Sequence, residues 1–210
     1  CIMDTDFESA AENDDITKAV NYAEVSKFIT LYVRNNIFRL IETLASRLAD
    51  EILINFNVSA VTVKIEKPSA PVGLPLKTVA AQITKKWSKA YLSIGSNLGD
   101  KKAYLDFAIS SLKEDKNIRV TKVSSYIETE PYGYTEQDEF LNCCTEIETI
   151  YSPHTLLKTV NSIEASADRK REIHWGPRTL DIDIVLCDNI ILNDTKLTIP
   201  HIDMENRFFV

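Results

Sequence analysis

The sequence has 210 residues and a mass of 23.8 kDa, a length that fits one or two domains of about 150 residues each. Hydrophobic residues make up 44% of it and charged residues 26%, which is typical of a globular protein and argues against disorder or low complexity. The 24 basic and 31 acidic residues give a formal net charge of −7. An acidic surface of this kind excludes a general nucleic-acid-binding coat, and phosphate chemistry would need a local basic patch.

The cysteines and the apolar runs indicate the compartment. The four cysteines, at positions 1, 143, 144 and 187, show no CxxC spacing and predict reduced thiols. There is no apolar run long enough to cross a bilayer and no secretory signal pattern, so we expect a cytoplasmic protein without a membrane partner. Because the chain opens at Cys1 and closes on an apolar Phe-Phe-Val end, we interpret it as part of a longer polypeptide.

The first 87 residues contain a helical region followed by strands. Between Asp15 and Phe56 apolar residues recur at helical spacing, with a break near Asn35-Asn36, which predicts two consecutive amphipathic helices. Alternating residues at 61–65 and 79–83 predict two strands joined by a Pro-rich loop. With 1–7 as an additional strand, this part of the chain is interpreted as a small α+β unit that lacks its beginning.

A polar junction at Lys85–Lys89 predicts the boundary of a second unit. The elements of that unit follow a β-α-β-β-α-β order, so a ferredoxin-like α+β sandwich is its expected fold. The predicted elements are a strand at 90–95, a helix from Asp100 as N-cap to Lys113, strands at 118–128 and 140–149, a helix at 153–167 and a strand at 180–187.

An acidic pair on the last predicted strand is the main candidate site. Asp181 and Asp183 are two residues apart and share one face of the strand, whereas Leu180, Ile182, Ile184 and Leu186 are predicted to face the core. Paired carboxylates are hard oxygen ligands of the kind that Mg²⁺ takes together with substrate phosphates. A solvated charge run on an exposed strand is the alternative interpretation of this pair taken alone.

Cations close to the acidic pair favour the functional interpretation. Arg169, Arg171 and Arg178 lie just upstream of it, and guanidinium groups neutralise and orient phosphate oxygens. A basic loop, a Trp-Gly-Pro-Arg turn and a metal-type acidic pair within sixteen residues are difficult to explain as surface decoration of an acidic protein.

Residues 90–210 resemble the 6-hydroxymethyl-7,8-dihydropterin pyrophosphokinase family of folate biosynthesis. The resemblance rests on four segments, which are Gly95-Ser96-Asn97-Leu98-Gly99-Asp100, Phe140-Leu141-Asn142, the run from Trp175 to Ile184, and the run from Pro200 to Arg207. The first of these segments lacks the Gly-Lys-Ser/Thr ending of a Walker loop, so we interpret it as a strand-to-helix turn.

The resemblance implies transfer of the β,γ-diphosphate of ATP to the pterin hydroxymethyl group with release of AMP. Asp181 and Asp183 would hold two Mg²⁺ ions, and Arg169 and Arg178 would act as catalytic phosphate clamps. The family's ATP contacts fall on Glu164, Arg169, Arg171, Trp175, Arg178, Ile184, Lys196, Thr198, His201 and Arg207. Its pterin contacts fall on Thr129, Pro131, Tyr132, Phe140, Asn142 and Phe209.

The first unit resembles dihydroneopterin aldolase, whose tunnelling-type (T-fold) domains assemble into rings. The resemblance rests on the segments 20–25, 40–45 and 65–68. It implies that Tyr22 is a proton-shuttling phenol contributed across a subunit interface, that Lys67 is the acid/base group and that Glu42 grips the pterin. We expect Glu42 to be half-buried on a helix face that it shares with Phe38, Ala45 and Ala49.

The leading hypothesis is therefore a bifunctional folate-pathway enzyme and homo-oligomer, acting on dihydroneopterin and then on hydroxymethyldihydropterin. One alternative is a pyrophosphokinase that carries an aldolase remnant without activity. Another makes the first unit a non-catalytic oligomerisation scaffold.

Overall fold

The computed structural model describes residues 1–68, 70–131, 136–167 and 177–204. The chain divides into two compact units, Cys1–Trp87 and Ser88–Val210. No helix within the described ranges is both long and apolar enough to span a membrane. All four cysteines are free, and burial raises the pKa of the Cys143 thiol to about 12.

The first unit is a three-stranded antiparallel sheet, in the order β1-β2-β3, packed against a helix. The helix α3 covers β2 and β3, and its fully buried Leu48, Ile52 and Leu53 meet Val61 and Val63 of β2 in the core. The elements are β1 (Ile2–Asp4), α1 (Glu8–Ala11), a 3-10 turn (Ile16–Lys18), α2 (Tyr22–Asn35), α3 (Ile41–Asn55), β2 (Ala60–Lys67) and β3 (Val79–Lys86).

The two predicted helices are present and their break falls at Asn36, but the first begins at Tyr22 and not at Asp15. Asp15 and Asn21 both have short polar side chains that bond to the backbone two or three residues later. The carboxylate of Asp15 accepts from the Thr17 N–H and caps only the 3-10 turn. Asn21 caps α2 by accepting from the N–H groups of Ala23 and Glu24.

The second unit is a sheet with two helices on one face. Its strand order β5-β7-β4-β8, antiparallel throughout, is that of a ferredoxin-like sandwich, with β6 also paired to β7. The helices α4 and α5 bury an apolar layer against this sheet. The elements are β4 (Ser88–Ser96), α4 (Lys101–Glu114), β5 (Ile118–Val123), β6 (Ile127–Thr129), β7 (Phe140–Thr149), α5 (Pro153–Ser166), β8 (Asp181–Cys187), β9 (Leu192–Asn193) and β10 (Thr198–Ile199).

Two details of the second unit differ from the prediction. The strand predicted at 118–128 is divided, because Ser124 exchanges hydrogen bonds with the Cys144 backbone between β5 and β6. The hairpin of β9 and β10 has two residues in each strand and gives no periodic signal. The predicted junction at Lys85–Lys89 contains the end of β3 at Lys86 and the start of β4 at Ser88, and Lys85 Nζ pairs with Asp50 Oδ1 at 2.6 Å.

The strand β8 keeps the predicted alternation only over its first half. Leu180, Ile182 and Ile184 are buried, but Leu186 is half-buried and the core positions pass to Val185 and Cys187. The pairing with β4 shifts register between Tyr91 and Leu92, opposite this point. A bulge inserts one residue and reverses the sides to which the following side chains point, so the prediction for Leu186 is wrong.

Glu146 on β7 joins three strands through its carboxylate. It accepts hydrogen bonds from Thr121 Oγ1 and Tyr91 Oη, both at 2.8 Å, and Lys89 and Lys122 lie at 3.4 and 3.8 Å. The pKa of the Glu146 carboxyl is lowered from its ordinary value of 4.5 to about 2. The hydrogen bond from Thr121 is the largest cause, and the hydrogen bond from Tyr91 is the second. The folded state therefore favours the ionised carboxylate.

Replacing this carboxylate should change stability in a pH-dependent way. A lowered pKa gives a stabilisation that is complete above pH 4.5 and is lost as the pH falls to about 2. We expect Glu146→Gln to lower the urea midpoint at pH 7, and we expect the difference from the wild type to shrink over that acidic range. Glu130→Gln, at an exposed position, serves as the control. A difference that stays constant with pH would contradict this assignment.

Candidate active site

The candidate site lies on the face of the second sheet opposite α4 and α5. Strand register defines its centre, because Gly95 of β4 pairs with Asn142 of β7 on one side and with Asp181 of β8 on the other. Ser93 pairs with Asp183 in the next row of the same face. Since adjacent strands are about 4.8 Å apart, the backbones at Asn142 and Asp181 are separated by about 10 Å.

A glycine is required at the centre of this row. A Cβ at Gly95 would overlap Asn142 Oδ1, so only glycine lets the Asn142 amide lie across β4. The Nδ2 of that amide donates to Thr129 Oγ1 at 2.7 Å, and both side chains are buried. Phe140, two residues before Asn142, is buried on the same face. Three of the predicted pterin contacts are thus brought together.

Asp181 is paired with Arg178. Its Oδ2 lies 2.9 Å from Arg178 Nη2, and the residue is only 8% exposed. The same guanidinium sits 5.3 Å from the centre of the Phe140 ring, a cation–π distance. Arg178 Nε is buried and has no hydrogen-bond partner within the described part of the chain. Asp181 lies on the face away from the helices, as predicted, but it is buried there and does not face solvent, because the arginine and the neighbouring strand cover it.

Asp183 is half-buried and lies near His201. The distance from His201 Nε2 to Asp183 Oδ1 is 3.8 Å, which is longer than a hydrogen bond. His201 Nδ1 accepts the Asp203 N–H at 3.2 Å, so in the neutral ring the proton is on Nε2, the nitrogen nearest Asp183. The His201 N–H donates to the Val185 carbonyl at 3.0 Å and attaches this segment to β8.

A cavity of about 340 Å³ opens between α5, β8 and the segment 194–202. Glu164 is 5% exposed at its wall, and its Oε1 accepts the Ile182 N–H at 2.8 Å. The volume lies at the lower end of the range for small-molecule sites. Six residues with predicted roles line this cavity, namely Glu164, Asp183, Ile184, Lys196, Thr198 and His201.

The acidic pair fits Mg²⁺ by its chemistry. Asp181 and Asp183 project from one strand onto one face, and Mg²⁺ is usually held by one or two carboxylates, with waters and substrate phosphates completing the shell. In the described ranges there is no group of three or more His, Cys, Asp or Glu side chains arranged to hold a metal. A pair of carboxylates leaves coordination positions of Mg²⁺ open to waters and phosphate oxygens.

Some predicted site residues are outside the described ranges, and Pro131 is the last described residue before one of the gaps. The residues outside are Tyr132, Arg169, Arg171, Trp175, Arg207 and Phe209.

The predicted residues of the first unit lie on three different elements. Tyr22 is the first residue of α2 and is 79% exposed. Lys67 is the last residue of β2 and is also exposed. Glu42 is exposed in the first turn of α3, so its predicted half-burial is wrong. Phe38 precedes α3 and cannot share its helical face, while Ala45 and Ala49 do face the core.

Two polar residues that the sequence analysis gave no role organise the loops of the site. Asn97 is 2% exposed and bonds to two separate segments of the site. Asp194 accepts the N–H groups of Lys196 and Leu197 and lies 3.0 Å from His154 Nε2, which shapes the wall of the cavity. The available signal is a polar residue directly after a strand, where short side chains commonly bond to backbone.

Both units are similar to known protein families. Residues 91–210 match the family model of 7,8-dihydro-6-hydroxymethylpterin-pyrophosphokinase, and residues 1–84 match that of dihydroneopterin aldolase. The chain is 44% identical over 121 residues to the 2-amino-4-hydroxy-6-hydroxymethyldihydropteridine pyrophosphokinase of Bacillus subtilis, which covers 58% of this chain and 72% of that protein.

Longer relatives match across both units. The folic acid synthesis protein fol1 of Schizosaccharomyces pombe is 36% identical over 205 residues, covering 91% of this chain and 28% of that protein. The corresponding Dictyostelium discoideum protein is 30% identical over 232 residues, covering 98% of this chain and 35% of that protein. This chain thus spans about a third of these relatives. It belongs to the 7,8-dihydro-6-hydroxymethylpterin-pyrophosphokinase family, and the segment ahead of that domain matches the dihydroneopterin aldolase model.

Proposed function

We propose that the second unit transfers diphosphate from ATP to 6-hydroxymethyl-7,8-dihydropterin. The hydroxymethyl oxygen of the pterin attacks the β-phosphorus and loses its proton, the bond from that phosphorus to the α,β-bridging oxygen breaks, and AMP leaves. The observation that carries the proposal is the row across β8, β4 and β7, in which Asp181 of the acidic pair and the pterin-side amide of Asn142 lie on either side of Gly95. A span of about 10 Å suits a pterin at one end and a phosphate chain at the other.

The cavity beside β8 is the proposed nucleotide site. Its walls supply Ile184 for apolar contact and Lys196, Thr198 and His201 for polar contact. Glu164 binds the β8 backbone with one carboxylate oxygen and so holds the wall of the cavity in place. Asp183 is one of the residues that line the cavity, so a nucleotide bound there could place its phosphates beside the acidic pair.

Arg178, Asp181 and Asp183 form the proposed phosphate site. Bound Mg²⁺, taken here as two ions, would neutralise phosphate charge and polarise the reacting oxygens, and the two aspartates are the residues to hold it. Arg178 supplies a guanidinium cation whose planar fork of donors suits phosphate oxygens. Its place over the Phe140 ring puts that cation between the acidic pair and the proposed pterin site.

The pterin site is proposed at Phe140, Asn142 and Thr129. The Phe140 ring offers a flat apolar face, and the Asn142 amide offers a donor and an acceptor to the polar edge of a bicyclic ring. The hydrogen bond to Thr129 fixes which way that amide points. Water is poorly admitted at this end of the row, because all three side chains are buried.

Removing a carboxylate from the metal pair should abolish transfer. We expect Asp183→Asn to lower kcat at least about a hundredfold and to remove the Mg²⁺ dependence of ATP-analogue binding measured by calorimetry. Asp181→Asn should do the same and should also lower the melting temperature, because it leaves the Arg178 charge without its partner. Glu114→Gln, at the exposed end of α4, is the control. Near-normal AMP formation by either aspartate variant would overturn the metal assignment.

Gly95→Ala tests the pterin site separately from the metal. The added methyl group would displace the Asn142 amide, so pterin affinity should fall by about tenfold, which corresponds to about 1.4 kcal/mol. Nucleotide affinity, measured by the same calorimetric titration, should stay within about twofold of the wild type. Ser96→Ala is the matched control, because the Ser96 hydroxyl has no hydrogen-bond partner within the described ranges. Unchanged pterin affinity in Gly95→Ala would contradict the proposed pterin site.

We further propose that the first unit contributes to dihydroneopterin aldolase activity in a homo-oligomer. Tyr22, Glu42 and Lys67 are all exposed and lie on separate elements, as expected of side chains that complete a site with a neighbouring subunit. Large apolar side chains also lie exposed on this unit, notably Ile2, Phe7, Ile16, Ile37 and Leu40. Such a surface is typical of an interaction site, and it is equally expected of the non-catalytic scaffold.

Subunit complementation distinguishes the shared site from the scaffold. In the full-length protein, Tyr22→Phe and Lys67→Ala should each lose retro-aldol turnover, and Glu42→Ala should chiefly raise KM. Mixed oligomers of the first two variants should regain part of the activity, since some interfaces would receive both intact groups. Absence of recovery in verified mixed oligomers would count against a shared site, and absence of turnover in the wild type would favour the scaffold.

A further inference from the structure

We propose that Asn97 is a positioning residue that couples the phosphate-binding arginine, Arg178, to the pterin-side segment 137–139. The inference rests on the proposed pyrophosphokinase function. It gives a role to Asn97, a residue to which the proposed function assigns none. It concerns the turn between β4 and α4, which contains Asn97 and ends at the helix cap Asp100.

One side of Asn97 holds the Arg178 backbone. Its Oδ1 accepts the Arg178 N–H at 2.8 Å, and its own N–H donates to the Arg178 carbonyl at 3.2 Å. Both polar groups of the Arg178 backbone are therefore bound by one residue. Because Arg178 lies just ahead of β8, this pair of bonds fixes the origin of the guanidinium that reaches Asp181 and Phe140.

The other side of Asn97 holds the segment that leads into β7. Its Nδ2 donates to Gln137 Oε1 at 3.0 Å and to the Asp138 carbonyl at 3.1 Å. Lys101, at the start of α4, donates from Nζ to the Glu139 carbonyl at 3.2 Å. The next residue in the chain is Phe140, whose ring contacts Arg178, so one amide sets the backbone at both ends of that contact.

The chemistry of the position selects asparagine. The site requires one acceptor and two donors on a short planar group, and the asparagine amide supplies them. Two of its partners are backbone groups of known polarity, the Arg178 N–H and the Asp138 carbonyl, so the orientation of the amide is fixed. Since Asn97 is almost completely buried, no water replaces a lost partner and each unmet bond is costly.

This arrangement lets the nucleotide side affect the pterin side. Any movement of Arg178 toward a bound phosphate strains or relaxes its bonds to Asn97, and the same amide transmits the change to 137–139. Nucleotide binding should therefore tighten pterin binding, with coupling in the usual range of about five- to 150-fold. Asn97 should be required for that coupling and not for nucleotide binding itself.

The test is calorimetric titration of the full chain with 6-hydroxymethyl-7,8-dihydropterin, with and without a non-hydrolysable ATP analogue and Mg²⁺. Asn97→Asp keeps the acceptor for Arg178 but has no donor for Gln137 and Asp138. We expect its coupling to fall below about twofold, while affinity for the analogue alone stays within about threefold of the wild type. Asn189→Asp adds the same charge at an exposed turn and should leave the coupling unchanged.

A second pair of variants avoids the buried position in case Asn97→Asp does not fold. Gln137→Glu keeps an acceptor for the Asn97 amide and should retain most of the coupling, whereas Gln137→Leu should lose part of it. The inference would be overturned if Gln137→Leu or folded Asn97→Asp showed the same coupling between nucleotide and pterin binding as the wild type. It would also be overturned if the ATP analogue did not change the pterin affinity of the wild type. Failure of the proposed function itself would differ, since the wild type would then form no AMP from ATP and the pterin.

Discussion

The pairing of β4 with β7 on one side and with β8 on the other is the constraint on which the second unit depends. It fixes which residues stand opposite each other, and it places Gly95 between the Asp181 carboxylate and the Asn142 amide on the same face. A shift of one residue in either register would turn these side chains to the helix-covered face. The positions of the site side chains are therefore determined by the register of the sheet.

The outer edge of β8 is protected by polar groups that also build the cavity. An edge strand exposes unpaired backbone groups, and here Glu164 accepts from Ile182 while the His201 N–H donates to Val185. The residues that protect this edge consequently line the proposed nucleotide site. Fold stability and ligand binding use the same side chains on this side of the sheet.

Arg178 is the counter-charge of the site in an otherwise acidic protein. It pairs with Asp181, lies over the Phe140 ring, and is held through its backbone by Asn97. These contacts account for the burial of Asp181, since a carboxylate without a partner would be too costly at that position. They also place a permanent cation where a phosphate chain would have to pass.

The sequence by itself determined the fold class, the two long helices of each unit, the central strands and the acidic pair, because alternation and helical spacing are local patterns that survive without tertiary context. The motif from Trp175 to Asp183, with the cations just upstream of it, predicted a site for Mg²⁺ and phosphate. What only the tertiary structure decided involves partners distant along the chain. The bulge opposite Tyr91 that moves Leu186 out of the core is set by pairing with β4, and the burial of Asp181 and the exposure of Glu42 depend on what packs beside them. Asn97 gives no periodic signal, and its two sets of partners lie about 40 and 80 residues away, so only the folded chain could assign it a place in the site.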